Sequence, residues 1–369
     1  MTGLLTGIAR YLRNLYSTMA LMDQVNLSYF AGKTLVKSMP PLAESDKWQK
    51  ATSAVWNLPD PIVSGMRVIH WLRYELNLRR ICRKTSFDIY HETAFVPAKL
   101  PAIPTVYSIY DLSLRRFRET HPRERVWVFE YFMKSRLQFV DHILTISEFI
   151  RQEIIEEFKV PPSMVTFVPL APDPLFGPCN IDLVKTIRIK YKLPESYLLF
   201  VSSLEPRKNI ALLIEAMQAI NTDIPLVLVG WHGWGDKKWL EKIGASGLKN
   251  RIHITGHVPD NDLKAIYNGA SALVYPSLYE GFGLPIVEAM ACGCPVICSN
   301  AASMPEVAGN AAILINPGRG DELAAAIETV VHDSEIRKPL VKRGFKQAGR
   351  FTWEHTARKT LELFKMVAQ

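Results

Sequence analysis

Along most of the chain, short apolar runs alternate with longer amphipathic runs, the pattern of successive βαβ units. In the first half the runs that read as strands are NLSYFAG (26–32), FDIYH (87–91), PTVYSIYD (104–111) and DHILTIS (141–147). Ser147 follows the last of these and is placed to cap a helix, its hydroxyl accepting from a free N–H of the first turn. The segment KVPPSMVTFVPLAPDPLFGP (159–178) holds a strand between two proline-rich stretches, and no helix can run through Pro169, Pro172, Pro174 and Pro178. It reads as a linker. Beyond it the pattern restarts, with strands at YLLFVSS (197–203), PLVLVG (225–230), RIHITG (251–256), SALVYP (271–276), PVICS (295–299) and AAILIN (311–316). Helices are predicted at 209–220, 261–270 and 284–292, with two more after Gly320. The pattern predicts two doubly wound α/β domains in tandem, with ligands at the C-terminal strand ends, in the cleft between the domains.

Composition narrows this picture in few places. A chain of 369 residues has room for two cores, and 48% hydrophobic and 22% charged residues are ordinary for a globular protein. No run of 18 apolar residues predicts a membrane span. The opening MTGLLTGIARYLRNLY has no long apolar core, carries Arg10 and Arg13, and does not read as a signal peptide. Five cysteines, three of them within seven residues, point to a reducing, cytoplasmic compartment rather than a disulfide framework.

Charge changes the picture more. The net charge of +8 is uneven, since residues 1–190 hold 25 Lys+Arg against 18 Asp+Glu. The densest basic runs are WLRYELNLRRICRK (71–84) and LRRFRETHPRER (114–125). Each is either a solvated helix face or a surface for an anionic acceptor or an anionic membrane. A nucleic-acid partner is not expected, because no recognition motif or stacking platform accompanies the charge.

Candidate chemistry concentrates in YEGFGLPIVEAMACGCP (279–295). Strand 271–276 ends just before it, and a helix should open near Pro285, a favoured first-turn residue. Gly281 and Gly283 allow a tight turn, and the helix N-terminus carries about half a positive charge. A diphosphate fits there. Glu288, one turn into the helix, suits a ribose diol, and Glu280, ahead of the glycines, faces the opposite end of an elongated ligand. That sequence of groups is the outline of a nucleotide-diphosphate sugar. In SSLEPRKN (202–209), Arg207 and Lys208 stand where a strand opens into a helix and could offset a leaving diphosphate without a metal. Cys292, Cys294 and Cys298 lack the four-ligand spacing of a zinc site and read as packing. Trp231 and Trp234 are either a binding platform or packing around a glycine-rich strand end.

The spacing from Glu280 to Glu288 resembles the E-x7-E motif of retaining glycosyltransferases, and the sequence is similar to glycosyltransferase family 4 (glycosyl transferases group 1). FVSSLEPRKN, ITGHVPDNDL, YPSLYEGFGLPIVEAMACGCPVICSNAASMPEVAG, FTWEHTA and VDHILTISEFIRQEI carry the resemblance. It implies the GT-B fold, two Rossmann-like doubly wound domains with a deep cleft between them. The domains are expected at 1–175, on the acceptor side, and 176–351, on the donor side. Residues 352–369 would form a helix crossing back to the first domain. The resemblance further implies that Arg207 and Lys208 hold the donor diphosphate, that Glu280 lies beside the transferred sugar, and that Gly281, Phe282, Gly283 and Leu284 meet sugar and phosphate through the backbone. Glu288 resembles the ribose ligand, Val258 the residue beside the base, and Gly7 the first-domain loop that closes over the phosphates. No metal or other cofactor is implied.

Two departures from the family stand out. A His-Asp pair is common after the strand that here reads TVYSIYD, where this chain has Tyr110-Asp111. Tyr110 is either a sugar-positioning group or part of the cleft wall, and His91 either an ordinary loop histidine or a reacting group. The family also places a strand and glycine turn before TGIARY, where only MTGLL precedes it here, so the reading frame is expected to begin upstream or the first domain to be unusually built. The function expected is retaining transfer of a hexose (mannose, rhamnose or glucose type) to a glycan or lipid-linked acceptor in surface polysaccharide assembly, by a peripheral enzyme on the inner membrane face. A nucleotide-sugar epimerase and a non-catalytic nucleotide-sugar-binding homologue are the alternatives. Replacing Glu280 by Ala is expected to abolish transfer with limited loss of folding.

Overall fold

The structure is a computed structural model that describes residues 7–22, 24–40, 59–231, 241, 243, 244 and 247–369. The chain divides into two compact units, one of Met1–Leu170 with Trp353–Gln369, the other of Ala171–Thr352.

In the first unit, helix α1 (Gly7–Ala20) precedes a small antiparallel pair, β1 (Tyr29–Phe30) with β2 (Leu35–Val36). Helix α2 (Asp60–Cys82) follows, then four parallel strands in sequential order: β3 (Tyr90–Glu92), β4 (Thr105–Ser108), β5 (His142–Thr145) and β6 (Val165–Phe167). Helix α3 (Arg123–Leu137) separates β4 from β5, and α4 (Glu148–Phe158) separates β5 from β6. Ser147 caps α4 as its position predicts, Oγ accepting from the Ile150 N–H at 3.2 Å. The sequence strand 26–32 is corrected. Only Tyr29 and Phe30 extend, and they pair with Leu35 and Val36 outside the parallel sheet. Gly32 (φ +83°) turns the chain back at once, which ends the strand.

The second unit carries a six-stranded parallel sheet in the order β12-β11-β10-β7-β8-β9. Its strands are β7 (Leu198–Val201), β8 (Leu226–Val229), β9 (Ile252–Gly256), β10 (Ala272–Tyr275), β11 (Val296–Ser299) and β12 (Ala312–Ile315). Of these, β7, β8, β10 and β11 are buried along their whole length, and β7, β8 and β10 read as unbroken apolar runs, because helices cover both faces of a parallel sheet. Phe200, Leu226, Leu228, Val274 and Ile297 are fully enclosed, each contributing about 1.5–3 kcal/mol by leaving water. The winding reverses once. From β7 the chain adds β8 and β9 on one side, then returns to lay β10, β11 and β12 on the other. The switch point therefore lies between β7 and β10, paired through Ala272–Leu198 and Leu273–Leu199. Two helices flank β10 in sequence, α5 (Asp260–Gly269) before it and α6 (Leu284–Ala291) after it.

The C-terminal helix α7 (Trp353–Val367) belongs to the first unit. Trp353 lies 6.1 Å from the Tyr11 ring of α1, Thr356 donates to the Pro169 carbonyl at 2.8 Å, and Lys365 donates to Gln24 at 2.7 Å.

Candidate active site

Strand order brings the two motifs together. Loop 202–209 leaves the C-terminal end of β7, and loop 276–283 leaves the C-terminal end of β10, the adjacent strand at the switch point. Residues more than seventy positions apart thus share one site. The Leu278 N–H donates to the Arg207 carbonyl at 2.9 Å, and Asn209 Nδ2 donates to the Pro276 carbonyl at 3.1 Å. Asn209 itself is left-handed (φ +59°), which lets the loop turn sharply into helix 210–219.

At the centre is a buried ion-pair cluster. Lys208 Nζ lies 2.6 Å from Glu280 Oε1, and Arg207 Nη1 lies 3.4 Å from Glu280 Oε2. Arg207 Nη2 donates to Glu205 Oε1 at 2.8 Å. The Tyr275 hydroxyl donates to Glu280 Oε1 at 2.7 Å. Glu205, Arg207, Lys208 and Glu280 are each less than a tenth exposed. Charges so enclosed must be paired, and two cations face two carboxylates here. Burial alone would raise the Glu280 pKa, but Lys208 and Arg207 beside it pull it down to about 2. Glu280 is therefore a carboxylate and not a proton donor. The spacing set Glu280 at the opposite end of the ligand from Glu288, and the structure joins Glu280 to Arg207 and Lys208 in one cluster.

The glycine loop is built as its composition predicts. Gly283 (φ +100°) stands directly before α6, and Pro285 lies in the first turn. An added Cβ at Gly283 would also meet Ile286 Cδ1 at 3.1 Å. Ser303 Oγ donates to the carbonyls of Glu280 and Phe282, at 2.9 and 3.0 Å, and fixes the turn. Phe282 is buried edge-on against Phe351, leaving backbone rather than ring as what the loop offers. Leu284 is half-buried. Glu288 is enclosed between α5 and α6, its Oε2 accepting from the Tyr267 hydroxyl at 3.1 Å. Val258, between β9 and α5, is buried, so contact beside it would be made through its backbone.

Sequence reasoning missed the two tyrosines that each hold one glutamate, as well as Glu205 and Ser303. Tyr275 carried a signal, because a polar-tipped residue closes an otherwise apolar strand. Replacing Tyr275 by Phe is expected to cost about 1.5–3 kcal/mol, the usual loss for a hydrogen bond to a charged group. Urea midpoints would measure this, and a loss of only a few tenths would contradict it.

The remaining candidates lie elsewhere. Gly7 is in the first unit and begins α1 as an exposed helical residue rather than part of a loop. Tyr110, also in the first unit, stands just past β4, edge-on to Tyr11 at 5.7 Å. Its hydroxyl is buried without a hydrogen-bond partner among the described residues, and burial pushes it well above its ordinary pKa. It is no base. His91 is clasped by the Tyr16 hydroxyl at Nδ1 and by Ser108 Oγ at Nε2, 2.7 Å away. Burial lowers its pKa to about 3, which makes it a satisfied neutral ring. Cys292, Cys294 and Cys298 are buried, and burial pushes Cys292 and Cys298 up to about 12. Among the described residues no three His, Cys, Asp or Glu stand together as a metal site. Trp231 is half-buried, and its carbonyl accepts from the Leu204 N–H at 3.1 Å, while Trp234 lies outside the described residues.

Two α/β units with parallel sheets, and a cationic and acidic cluster at a switch point, define a glycosyltransferase of the GT-B class. Solved structures share the fold. WaaG, a glycosyltransferase involved in lipopolysaccharide biosynthesis, superposes with a TM-score of 0.70 at 14% identity, over 99% of this chain and 98% of that one. Anabaena HepE in complex with UDP and glucose does so with a TM-score of 0.67 at 20% identity, over 79% and 81%. Residues 185–347 match the family glycosyl transferases group 1, and residues 6–174 match glycosyltransferase family 4. O-antigen chain mannosyltransferase B of Escherichia coli is 33% identical over 375 residues, spanning 98% of this chain and 97% of that protein. The chain belongs to this glycosyltransferase family and is a glycosyltransferase; the epimerase and non-catalytic readings are left without support. Among the described residues no helix is long and apolar enough to cross a membrane.

Proposed function

We propose that this glycosyltransferase moves mannose, with retention of anomeric configuration, from a nucleotide-diphosphate donor to a glycan acceptor carried on a lipid, in the assembly of a surface polysaccharide. The observation that carries the reading is the convergence of Arg207, Lys208 and Glu280 at the switch point of the second unit. The likeness to an O-antigen mannosyltransferase over nearly the whole chain supports mannose as the sugar. A donor diphosphate would lie against Arg207, Lys208, the 281–284 backbone and the N-terminus of α6. These groups stabilise the charge that develops as the sugar departs, and no metal ion is required. The leaving phosphate itself takes the acceptor proton, with attack on the face it vacates. Glu280, ionised and held by Lys208 and Tyr275, lies beside the sugar. Glu288 takes the ribose, and the backbone at Val258 meets the base. The enzyme works on the cytoplasmic side, in peripheral contact with the membrane.

A thermal-shift screen of nucleoside diphosphates and their hexose conjugates, followed by a transfer assay, tests this. A mannose donor is expected to raise the melting temperature and to support transfer to an α-linked product. Nucleotide binding with no release from any donor would overturn the enzymatic reading. Turnover with another hexose but not mannose would overturn the sugar.

A further inference from the structure

Helix α2 is apolar on two opposite sides. Its inner side is accounted for within the first unit. Val63 and Leu78 are buried, the Trp71 ring lies 5.0 Å from Phe132 of α3, and Glu75 is paired with Arg79 and Arg136. Its outer side carries Ile62, Met66, Ile69, Leu72 and Leu76, which are 51, 47, 54, 41 and 52% exposed. Spacings of four, three, three and four residues set these five in one stripe. A helix face that meets only water is polar, so a stripe of this length marks a contact surface.

The surroundings of the stripe say what it contacts. Arg73, Arg80, Arg83 and Lys84 are all exposed on the same helix and just past its end. Between Ile62 and Lys84 the only acidic residue is Glu75, which is turned inward. On α3, Trp127 and Tyr131 are 50 and 66% exposed, and their rings stack at 5.4 Å. Tyr131 meets Phe132 at 4.9 Å, and Phe132 meets Trp71, so an aromatic run joins this pair to the inner side of α2 rather than to the stripe. The other basic run is different, because Arg115 pairs with Glu157, Arg116 with Glu153 and Arg118 with Glu130. Three of its five arginines are thus answered within the chain, whereas Arg73, Arg80, Arg83 and Lys84 stand exposed on and just past α2.

The geometry points to an anionic lipid surface as the partner of this face. Apolar side chains enter the boundary between headgroups and acyl chains, and Arg and Lys meet acidic headgroups. A second copy fits less well. Two such faces laid antiparallel would set four cations per copy over apolar residues, with Asp60 alone as a counter-charge on that helix. Docking serves the lipid-linked acceptor proposed above, and its biological sense rests on that reading. Partitioning is measured without donor or acceptor, so the two readings fail separately.

The test is co-sedimentation of the full chain with phosphatidylglycerol–phosphatidylcholine vesicles and with phosphatidylcholine alone. Binding is expected to the anionic vesicles, to fall with added salt, and to be at least tenfold weaker on phosphatidylcholine. Ile69→Gln with Leu76→Gln, and separately Arg73→Gln with Arg80→Gln, should each weaken anionic binding by about tenfold or more, with unchanged melting temperature and unchanged transfer to a water-soluble acceptor. Arg118→Gln should leave binding as it was. Absence of binding, or binding indifferent to both double variants, overturns the proposal. So does a dimer that light scattering shows to dissociate on Ile69→Gln with Leu76→Gln in a chain that ignores vesicles.

Discussion

Glu280→Gln is expected to slow transfer by about two to three orders of magnitude, the usual cost of losing one preorganised electrostatic group, and to destabilise the second unit by about 3–5 kcal/mol, the cost of breaking a buried ion pair from one side. The second effect follows from burial. Arg207 and Lys208 are each less than a tenth exposed, and without the Glu280 charge the close carboxylate left to them is Glu205. The expectation that an Ala substitution of Glu280 would spare the fold is therefore revised. Adding Lys208→Met to Glu280→Gln removes one of the stranded cations and should restore part of the stability without restoring transfer. The pH dependence carries a definite sign. Folding depresses the Glu280 pKa from about 4.5 to about 2, so the stabilisation is complete above pH ~4.5 and is lost as pH falls toward 2. The stability gap between wild type and Glu280→Gln should narrow over that window. Urea titrations at neutral pH and at pH ~3 measure it, and a gap that stays constant would remove the ion-pair account.

Much of the second unit could be read from sequence because its chemistry is local. Strands such as LVLV at 226–229 are covered on both faces and appear as bare apolar runs between turn residues. Gly283 and Pro285 specify their turn by backbone geometry alone. What could not be read depends on pairing over distance. That β7 and β10 are neighbours is a property of strand order, and only through it do Arg207 and Lys208 reach Glu280. The same limit hid Tyr267 behind Glu288, since that contact joins two helices. In the first half, the short apolar run in NLSYFAG suggested a sheet strand, but a local antiparallel pair took Tyr29 and Phe30 instead. The two basic runs looked alike in sequence. Helix packing separated them, pairing Arg115, Arg116 and Arg118 with carboxylates and leaving those at the end of α2 exposed.

Gly230→Ala is expected to cost more than about 4 kcal/mol, a size reserved for backbone overlap, large cavities and unpaired buried groups. Gly230 closes β8 with φ +146°, and an added Cβ would stand 1.8 Å from the Ser202 carbonyl oxygen and 2.7 Å from its carbon. No rotamer relieves a clash between two backbones. Either β8 or the end of β7 must move, although the two are joined there by the Ser202 N–H donating to the Val229 carbonyl at 3.0 Å. Ser202 also begins the loop that delivers Arg207 and Lys208, so the displacement reaches the ion-pair cluster. Gly256→Ala is the control. It shares a positive φ, +73°, but nothing lies within 4 Å of its added Cβ, so only about 1–2 kcal/mol of left-handed backbone strain is expected. Urea unfolding of both variants separates overlap from strain, and the thermal shift produced by a nucleoside diphosphate reports on the loop. Equal destabilisation of the two, or a Gly230→Ala protein that keeps its full nucleotide-induced shift, would show that the approach of β7 to β8 does not set the geometry of the site.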